Sequence, residues 1–274
     1  MPRQIALSYL TLLDCDPFER IRIAAEAGFD LLGLRLLPAT PMESVSPLMT
    51  QPRLRRDVIA ALGDVGLRVC DVEVIRLTPE LSVSELEGFM ACAAELGARH
   101  ICVAGNDPDS FRIIDNFADL CRAAAPYNLS CDLEFTTWSD VKDLRTARSV
   151  VEKAAQPNGS ILIDALHADR SHATLEEIAA LPKTLMRYVQ LCDGPADYHP
   201  SQEELVRIAR SCRLLPGQGG IDCVGLVTVV PPSIPISLEI PNERQQSALG
   251  MAAYAQAAMR ATRLVLEAAN RRVA

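Results

Sequence analysis

The sequence predicts a single (β/α)₈ barrel, on three observations. Strand-like and helix-like segments alternate from one end to the other. Eight such pairs can be counted. The apolar content is aliphatic: 49% of the 274 residues are hydrophobic, but only 4% are aromatic. A chain of this length suits one barrel with one core. Parallel strands covered on both faces are filled by Val, Ile, Leu and Ala.

The strand runs are Gln4–Leu10, Asp30–Leu37, Arg68–Leu77, His100–Gly105, Ser130–Phe135, Ser160–Leu166, Arg187–Cys192 and Ile234–Ile240. Each is short, rich in Val, Ile and Leu, and has Gly, Pro or Asn near an end. The first helix, Pro17–Gly28, opens behind Asp16 as N-cap with proline in the first helical position. Pro52–Gly66 and Ser82–Gly97 both stop on glycine, and Phe111–Ala125, Asp140–Ala155 and Leu175–Leu181 run up to prolines. Ser201–Cys212 and Leu249–Asn270 complete the set. Ile21, Ala24, Ala25 and Gly28 share one helical face, as do Leu144, Ala147, Val150 and Val151. Successive strand–helix pairs imply a parallel sheet with right-handed crossovers, and eight strands close it. The competing arrangement is an open doubly wound sheet, which would more often carry a glycine-rich turn after the first strand. None is present. No linker interrupts the pattern, so residues 1–274 are expected to form one catalytic domain. Pro38–Gln51 and Leu214–Pro232 are the longest irregular stretches, and both fall at the expected mouth of the barrel.

Composition narrows the partners. A formal net charge of −8 disfavours nucleic acid. No stretch reaches the roughly 20 apolar residues of a membrane helix. Ile5–Leu10 is too short for a signal-peptide core, and Asp14 and Asp16 follow it. The nine cysteines contain no CxxC pair, which suits free buried thiols in a reducing compartment. A cytoplasmic location is the expectation.

Barrel enzymes place their reactive groups at the C-terminal ends of the strands. Four late strands end in a polar side chain after an apolar run: Glu134 on the fifth, Asp164 on the sixth, Gln190 on the seventh and Glu239 on the eighth. A lone carboxylate at a strand end is often a helix cap or a rim ion pair. Four such groups on successive strands would converge near the barrel axis, where carboxylates repel strongly unless a divalent cation lies among them. All-oxygen donors favour Mn²⁺ or Mg²⁺, with Co²⁺ next; Zn²⁺ fits less well without histidine or thiolate ligands.

With these residues in place the layout resembles the xylose isomerase-like TIM barrel superfamily, in the branch of sugar-phosphate isomerases and epimerases that includes tagatose 3-epimerases and inositol-catabolism enzymes. That branch has Glu after strand five, Asp followed by His after strand six, His after strand seven and Glu after strand eight. Glu134, Asp164 with His167, and Glu239 match three of these places. Pro216-Gly217-Gln218-Gly219-Gly220-Ile221-Asp222 is similar to the branch's Pro-Gly-x-Gly-x-x-Asp loop. Gln190 departs from the pattern, and glutamine there is similar to 3-dehydroshikimate dehydratases of the same superfamily. Phe135-Thr136-Thr137-Trp138 lacks a histidine expected near the metal in some of those dehydratases.

The resemblance implies a divalent-metal-dependent isomerase or epimerase acting on a small keto-sugar, sugar phosphate or cyclitol through a metal-stabilised enediolate. The alternative is a lyase dehydrating a cyclic hydroxy-ketone such as 3-dehydroshikimate. A second alternative is a barrel that binds a ligand without catalysis. A metal-dependent endonuclease of this superfamily fits poorly with four histidines and an acidic surface. Glu134 and Glu239 are expected to be metal ligands and the acid–base pair, with His167 as a further catalytic group. Arg213 is expected to clamp a phosphate or carboxylate. Glu73, Arg76, Asn106, Trp138 and Asp193 are candidate substrate-binding residues, Arg35 and Asp107 candidate pocket residues, and Asp222 an outer support or helix cap. His100, at the far end of its strand, is expected to be structural. The superfamily resemblance also implies a homodimer or homotetramer.

Overall fold

The computed structural model describes residues 3–40 and 43–273. Eight parallel strands close into a barrel in sequence order. They are β1 (Ile5–Leu7), β2 (Leu31–Arg35), β3 (Arg68–Leu77), β4 (His100–Gly105), β5 (Ser130–Glu134), β6 (Gly159–Asp164), β7 (Val189–Leu191) and β8 (Ile236–Leu238). β1 pairs with both β2 and β8, which closes the ring without a free edge.

The eight runs expected from sequence all form strands, several of them shorter than expected. The cause is visible at β6, where Ala165 and Leu166 leave the sheet to begin a helix. Side-chain alternation divides the strands between two environments. On β1, Ile5 and Leu7 join the large outer core beneath the helices, while Ala6 belongs to a small inner cluster with Leu31, Cys70, Cys102, Leu162 and Tyr188. Two residues further along, the same inward parity reaches Glu134 from Asp132, Asp164 from Leu162, Gln190 from Tyr188 and Glu239 from Ser237. Strand period therefore carries the inner face from a largely apolar cluster, with Asp132 and Ser237 beside it, up to a polar mouth.

The helices are α1 (Pro17–Ala27), α2 (Pro47–Thr50), α3 (Pro52–Val65), α4 (Glu87–Glu95), α5 (Ser110–Ala124), α6 (Leu144–Ala154), α7 (Ala165–Arg170), α8 (Leu175–Ala179), α9 (Gln202–Ser211), α10 (Cys223–Val229), α11 (Glu243–Leu249) and α12 (Met251–Val273). Asp16 accepts from the amides of Phe18 and Glu19 at the start of α1, as its N-cap pattern predicts. Three expectations are corrected. Leu214–Pro232 is not irregular throughout, because Asp222 accepts from Gly225 N and starts α10. The stretch Pro38–Gln51 contains α2, capped by Ser46; positions 41 and 42 lie outside the described residues. The last helix begins after Gly250, whose φ of +78° separates it from α11. None of the described helices is long and apolar enough to cross a membrane. All nine cysteines are free.

One glycine ties the fold to the mouth of the barrel. Gly105 ends β4, and its carbonyl accepts from the amides of Asp140 and Val141 in the β5–α6 loop. A Cβ at this position would meet Val141 Cγ2 at 2.1 Å. The loop that carries Trp138 can therefore close onto β4 only over a hydrogen atom. Gly105→Ala is expected to destabilise the fold by about 1–3 kcal/mol through overpacking. Val141→Ala added to it should return part of that loss. Chemical denaturation of the four members of the cycle tests this, and strict additivity would contradict it.

Candidate metal centre

The end of β8 is held by three hydrogen bonds from two residues. Thr11 Oγ1 donates to Leu238 O (2.6 Å) and accepts from Ile240 N (2.9 Å). Tyr254, on α12, donates to Ile240 O at 2.7 Å. Glu239 thus projects from a clamped backbone. Asp164 and Gln190 are register partners across β6 and β7, so they sit side by side on the inner face. Asp164 also caps α7, its Oδ1 accepting from His167 N at 3.0 Å.

Glu134, Asp164 and Glu239 each offer a carboxylate oxygen, and these oxygens all lie within 4.8 Å of one another. Gln190 Oε1 and Glu239 Oε2 are buried without a hydrogen-bond partner. Such orphaned oxygens are costly in a protein interior unless something binds them. Glu134, Asp164 and Glu239 thus converge at the C-terminal mouth, with Gln190 beside Asp164.

Arg213 changes the electrostatics of this group. It was expected to face a ligand anion. Instead it is 2% exposed, and its guanidinium donates to Asp164 Oδ2 at 2.6 Å and Glu239 Oε1 at 3.3 Å. Its Nε donates to Ala209 O at 2.9 Å. The guanidinium bonds two of the three carboxyl groups; with all three ionised the cluster would carry two more negative than positive charges. Burial, followed by repulsion from Glu239 and Asp164, raises the Glu134 carboxyl well above the usual carboxylate range. Burial also pushes Glu239 up to about 8, against the pull of Arg213. For Asp164 burial is overcome by Arg213 and His167, and the group is held below its ordinary value. A divalent cation that displaced the protons of Glu134 and Glu239 would balance the cluster, and the all-oxygen donors suit a hard one.

His167 lies 4.0 Å from Glu134 Oε1 through Nε2, with Nδ1 buried and unpartnered. Burial lowers its pKa to about 4, so the ring is neutral near pH 7. The indole of Trp138 meets it edge-on, 5.0 Å between centroids. Trp138, Glu73, Arg76, Arg35 and Arg213 all border the open cavity of about 100 Å³ above the centre. Glu73 accepts from Ser8 Oγ (3.0 Å) and Arg35 (2.9 Å). Asn106 does not line this cavity; its Oδ1 accepts from Arg76 at 3.2 Å and steadies that side chain. Asp107 faces Arg112 instead, at 2.6 Å.

Asp193 is corrected more sharply. It is fully buried, and its carboxylate accepts from four backbone amides: Gly194 (2.8 Å), Ile221 (2.9 Å), Gly217 (3.0 Å) and Gly219 (2.9 Å). It shapes the Pro-Gly loop and has no capacity left for a substrate. Gly219 is required there, since a Cβ would come within 2.1 Å of Gly194 O. His100 is structural as expected, with Nδ1 2.8 Å from Ser130 Oγ and its ring stacked on Tyr188.

The sequence reading missed Arg210, which borders the cavity from the last turn of α9. Its spacing of three residues from Arg213 on a helix end was the available signal. It also missed Asp71, fully buried, with neither carboxyl oxygen hydrogen-bonded. Burial and the nearby Glu73 and Glu239 push its pKa well above the carboxylate range, which keeps it neutral. Its position in the middle of β3 carries no local mark of this.

A model for the family described as "Xylose isomerase-like TIM barrel" matches residues 21–264. A protein from Pseudomonas aeruginosa named 3-dehydroshikimate dehydratase is 26% identical over 241 residues, 82% of this chain. The chain spans only 36% of that relative's length. Among solved structures, an IOLI protein described with a binding zinc atom has a TM-score of 0.78 at 15% identity, covering 98% of each chain. A D-psicose 3-epimerase crystallised in the presence of D-fructose has a TM-score of 0.72 at 12% identity, covering 96% of this chain and 99% of its own.

Two outcomes test the centre. Mn²⁺ at a hundredfold excess over its dissociation constant should stabilise the protein by about 2.7 kcal/mol. Glu239→Gln should abolish the corresponding rise in melting temperature, and an unchanged rise would remove Glu239 from the ligand set. Separately, Asp193→Ala should cost about 3 kcal/mol in urea denaturation by stranding buried amides of the loop.

Proposed function

Because the chain belongs to the xylose isomerase-like TIM barrel family, we propose that it is a metal-dependent enzyme that removes a proton beside the carbonyl of a small polyhydroxylated ketone. The observation that carries this reading is the charge of the centre. Three carboxyl groups converge, only two of them bonded to the single guanidinium, with two buried oxygens left unpartnered.

Glu134, Asp164, Gln190 and Glu239 would hold the ion. Bound there, a divalent cation supplies Lewis acidity to a ketone or hydroxyl oxygen and so acidifies the adjacent C–H. The remaining chemistry belongs to the side chains. Glu134 and Glu239 stand on strands well apart around the ring and can face opposite sides of a substrate. That arrangement suits removal of a proton by one and its return by the other, as isomerisation or epimerisation of a keto-sugar, sugar phosphate or cyclitol requires. Arg213 orients Glu239 and Asp164 through the bonds described above. His167 is neutral and 4.0 Å from Glu134 Oε1, so its ring can hydrogen-bond a substrate hydroxyl. Trp138 packs against that ring and limits water on its side.

A second reading is dehydration of a cyclic hydroxy-ketone such as 3-dehydroshikimate. Two observations favour it. Gln190 takes the strand-seven position in place of the histidine of the epimerase pattern, and the Pseudomonas aeruginosa relative carries the dehydratase name. In this reaction Glu134, whose carboxyl burial drives toward its protonated form, would deliver a proton to the departing hydroxyl.

The readings separate in one series of assays. The isomerase reading expects solvent deuterium at one carbon of a ketose or ketose phosphate in the presence of Mn²⁺ or Mg²⁺. The lyase reading expects new ultraviolet absorbance from 3-dehydroshikimate under the same conditions. In either case Glu134→Gln should lower kcat by about 10²–10⁴-fold. Activity that survives both chelation and Glu134→Gln would overturn the proposal.

A further inference from the structure

We propose that the N-terminal end of the barrel, opposite the metal centre, holds a second ligand site, and that it takes an apolar carboxylate anchored by Arg68 and His100. A cavity of about 390 Å³ opens there, against about 100 Å³ above the metal centre. That volume falls within the roughly 300–1,000 Å³ of small-molecule sites. Arg68 and His100 both line it. Each stands two positions before a member of the inner cluster, Cys70 on β3 and Cys102 on β4. Strand alternation therefore turns both side chains toward the barrel axis. The register partner of Arg68 is Leu31, which belongs to the same inner cluster. The cavity is thus the lower opening of the barrel, extended sideways to Ile59 and Leu62 of α3 and to Leu96 behind α4.

Walls and charges differ in kind. The walls are aliphatic, from Leu31, Ile59, Leu62, Leu67 and Leu96. The ionisable groups of opposite type are missing: Arg68, Arg99 and His100 line the cavity, and no Asp or Glu does. Arg68 and Arg99 have no carboxylate within 4.0 Å among the described residues. In a molecule of net charge −8 this opening is locally positive. An apolar body suits the walls, and a carboxylate suits the guanidinium at their edge.

His100 is fixed from its inner side. Its Nδ1 is 2.8 Å from Ser130 Oγ, which donates to Asp132 Oδ2 at 2.5 Å, and its ring stacks on Tyr188. Asp132 is fully buried, with Ser160 as a second hydroxyl donor and His100 Nδ1 at 3.5 Å. These contacts occupy Nδ1 and leave Nε2 for the cavity. A buried carboxylate behind the ring favours the imidazolium, whose Nε2–H is a donor. Arg68 opens β3 and His100 opens the adjacent β4, so one carboxylate between them can accept from both. The ring is held before any ligand arrives, which lowers the entropy lost on binding. An uncharged ligand of the same shape would fill the walls and leave both donors unpaired.

Calorimetry with octanoate and with octanol, each with and without Mn²⁺, tests this. Octanoate should bind saturably at one site, about tenfold tighter than octanol, and equally well in both metal states. Arg68→Met should remove that preference and leave octanol binding unchanged. Gly63 borders the cavity from α3, and no heavy atom lies within 4 Å of a Cβ built there. Gly63→Trp should therefore bring bulk to the opening without a clash and weaken both probes about tenfold. Gly88 is equally open but lies on α4 away from the cavity, so Gly88→Trp should leave both probes unchanged. Glu239→Gln, at the opposite end, should do the same. Octanoate that does not saturate, equal affinity for octanol, or octanoate binding left unchanged by Arg68→Met or by Gly63→Trp would overturn the proposal. Loss of octanoate binding in Glu239→Gln would also overturn it, by placing the carboxylate at the metal centre.

Discussion

A buried guanidinium stands between two carboxylates at the open end of this barrel, and a third carboxyl group lies close by. Everything at the mouth is arranged around that imbalance. Asp164 is satisfied by Arg213 and by the His167 amide, so it stays ionised. Glu134 lacks such a partner and Glu239 has one on a single oxygen, and burial drives their protons on. Groups of this kind are expensive to keep in a folded protein, which makes their convergence a sign of chemistry more than of stability. Arg213 also links the clusters in sequence. Its amide donates to Pro241 O and its carbonyl accepts from Asn242 Nδ2, which joins the end of α9 to the end of β8.

The surrounding scaffold explains why such a group can persist. The inner faces of the strands change from Ala6, Leu31, Leu162 and Tyr188 below to carboxyl and amide groups above. The apolar layer seals the floor. The outer faces pack against the helices and hold the strand ends rigid. The loops then add specific braces: Thr11 and Tyr254 on β8, Gly105 beneath the Trp138 loop, and Asp193 at the centre of the Pro-Gly loop. Each brace is a hydrogen bond or a close approach between segments far apart in the chain.

The parts that sequence reading located and those it misassigned differ in kind. Glu134, Asp164, Gln190 and Glu239 were legible because each ends an apolar strand run, and strand ends are where a barrel gathers its side chains. Asp193 has the same local signature, a polar residue after an apolar run. It lies three residues beyond Gln190, however, and the chain has already left the sheet. Its carboxylate meets four amides of a loop up to 28 residues away, contacts that no local pattern displays. Asn106 likewise follows its strand but turns toward Arg76 and not the cavity.

What the amino-acid order determined by itself was periodic: eight apolar runs of strand length, amphipathic helices between them with caps and glycine stops, and a polar residue at the end of each late strand. Those features depend on neighbours a few positions apart, through hydrogen bonding and side-chain alternation along the backbone. Tertiary structure alone decided which charges meet. Arg213 and Asp164 are 49 positions apart, and Arg35 and Glu73 are 38 apart. Only closure of the barrel brings them into contact. Among the described residues the same closure leaves Arg76 and Arg210 without carboxylate partners, because an ion pair depends on distance and not on order in the chain.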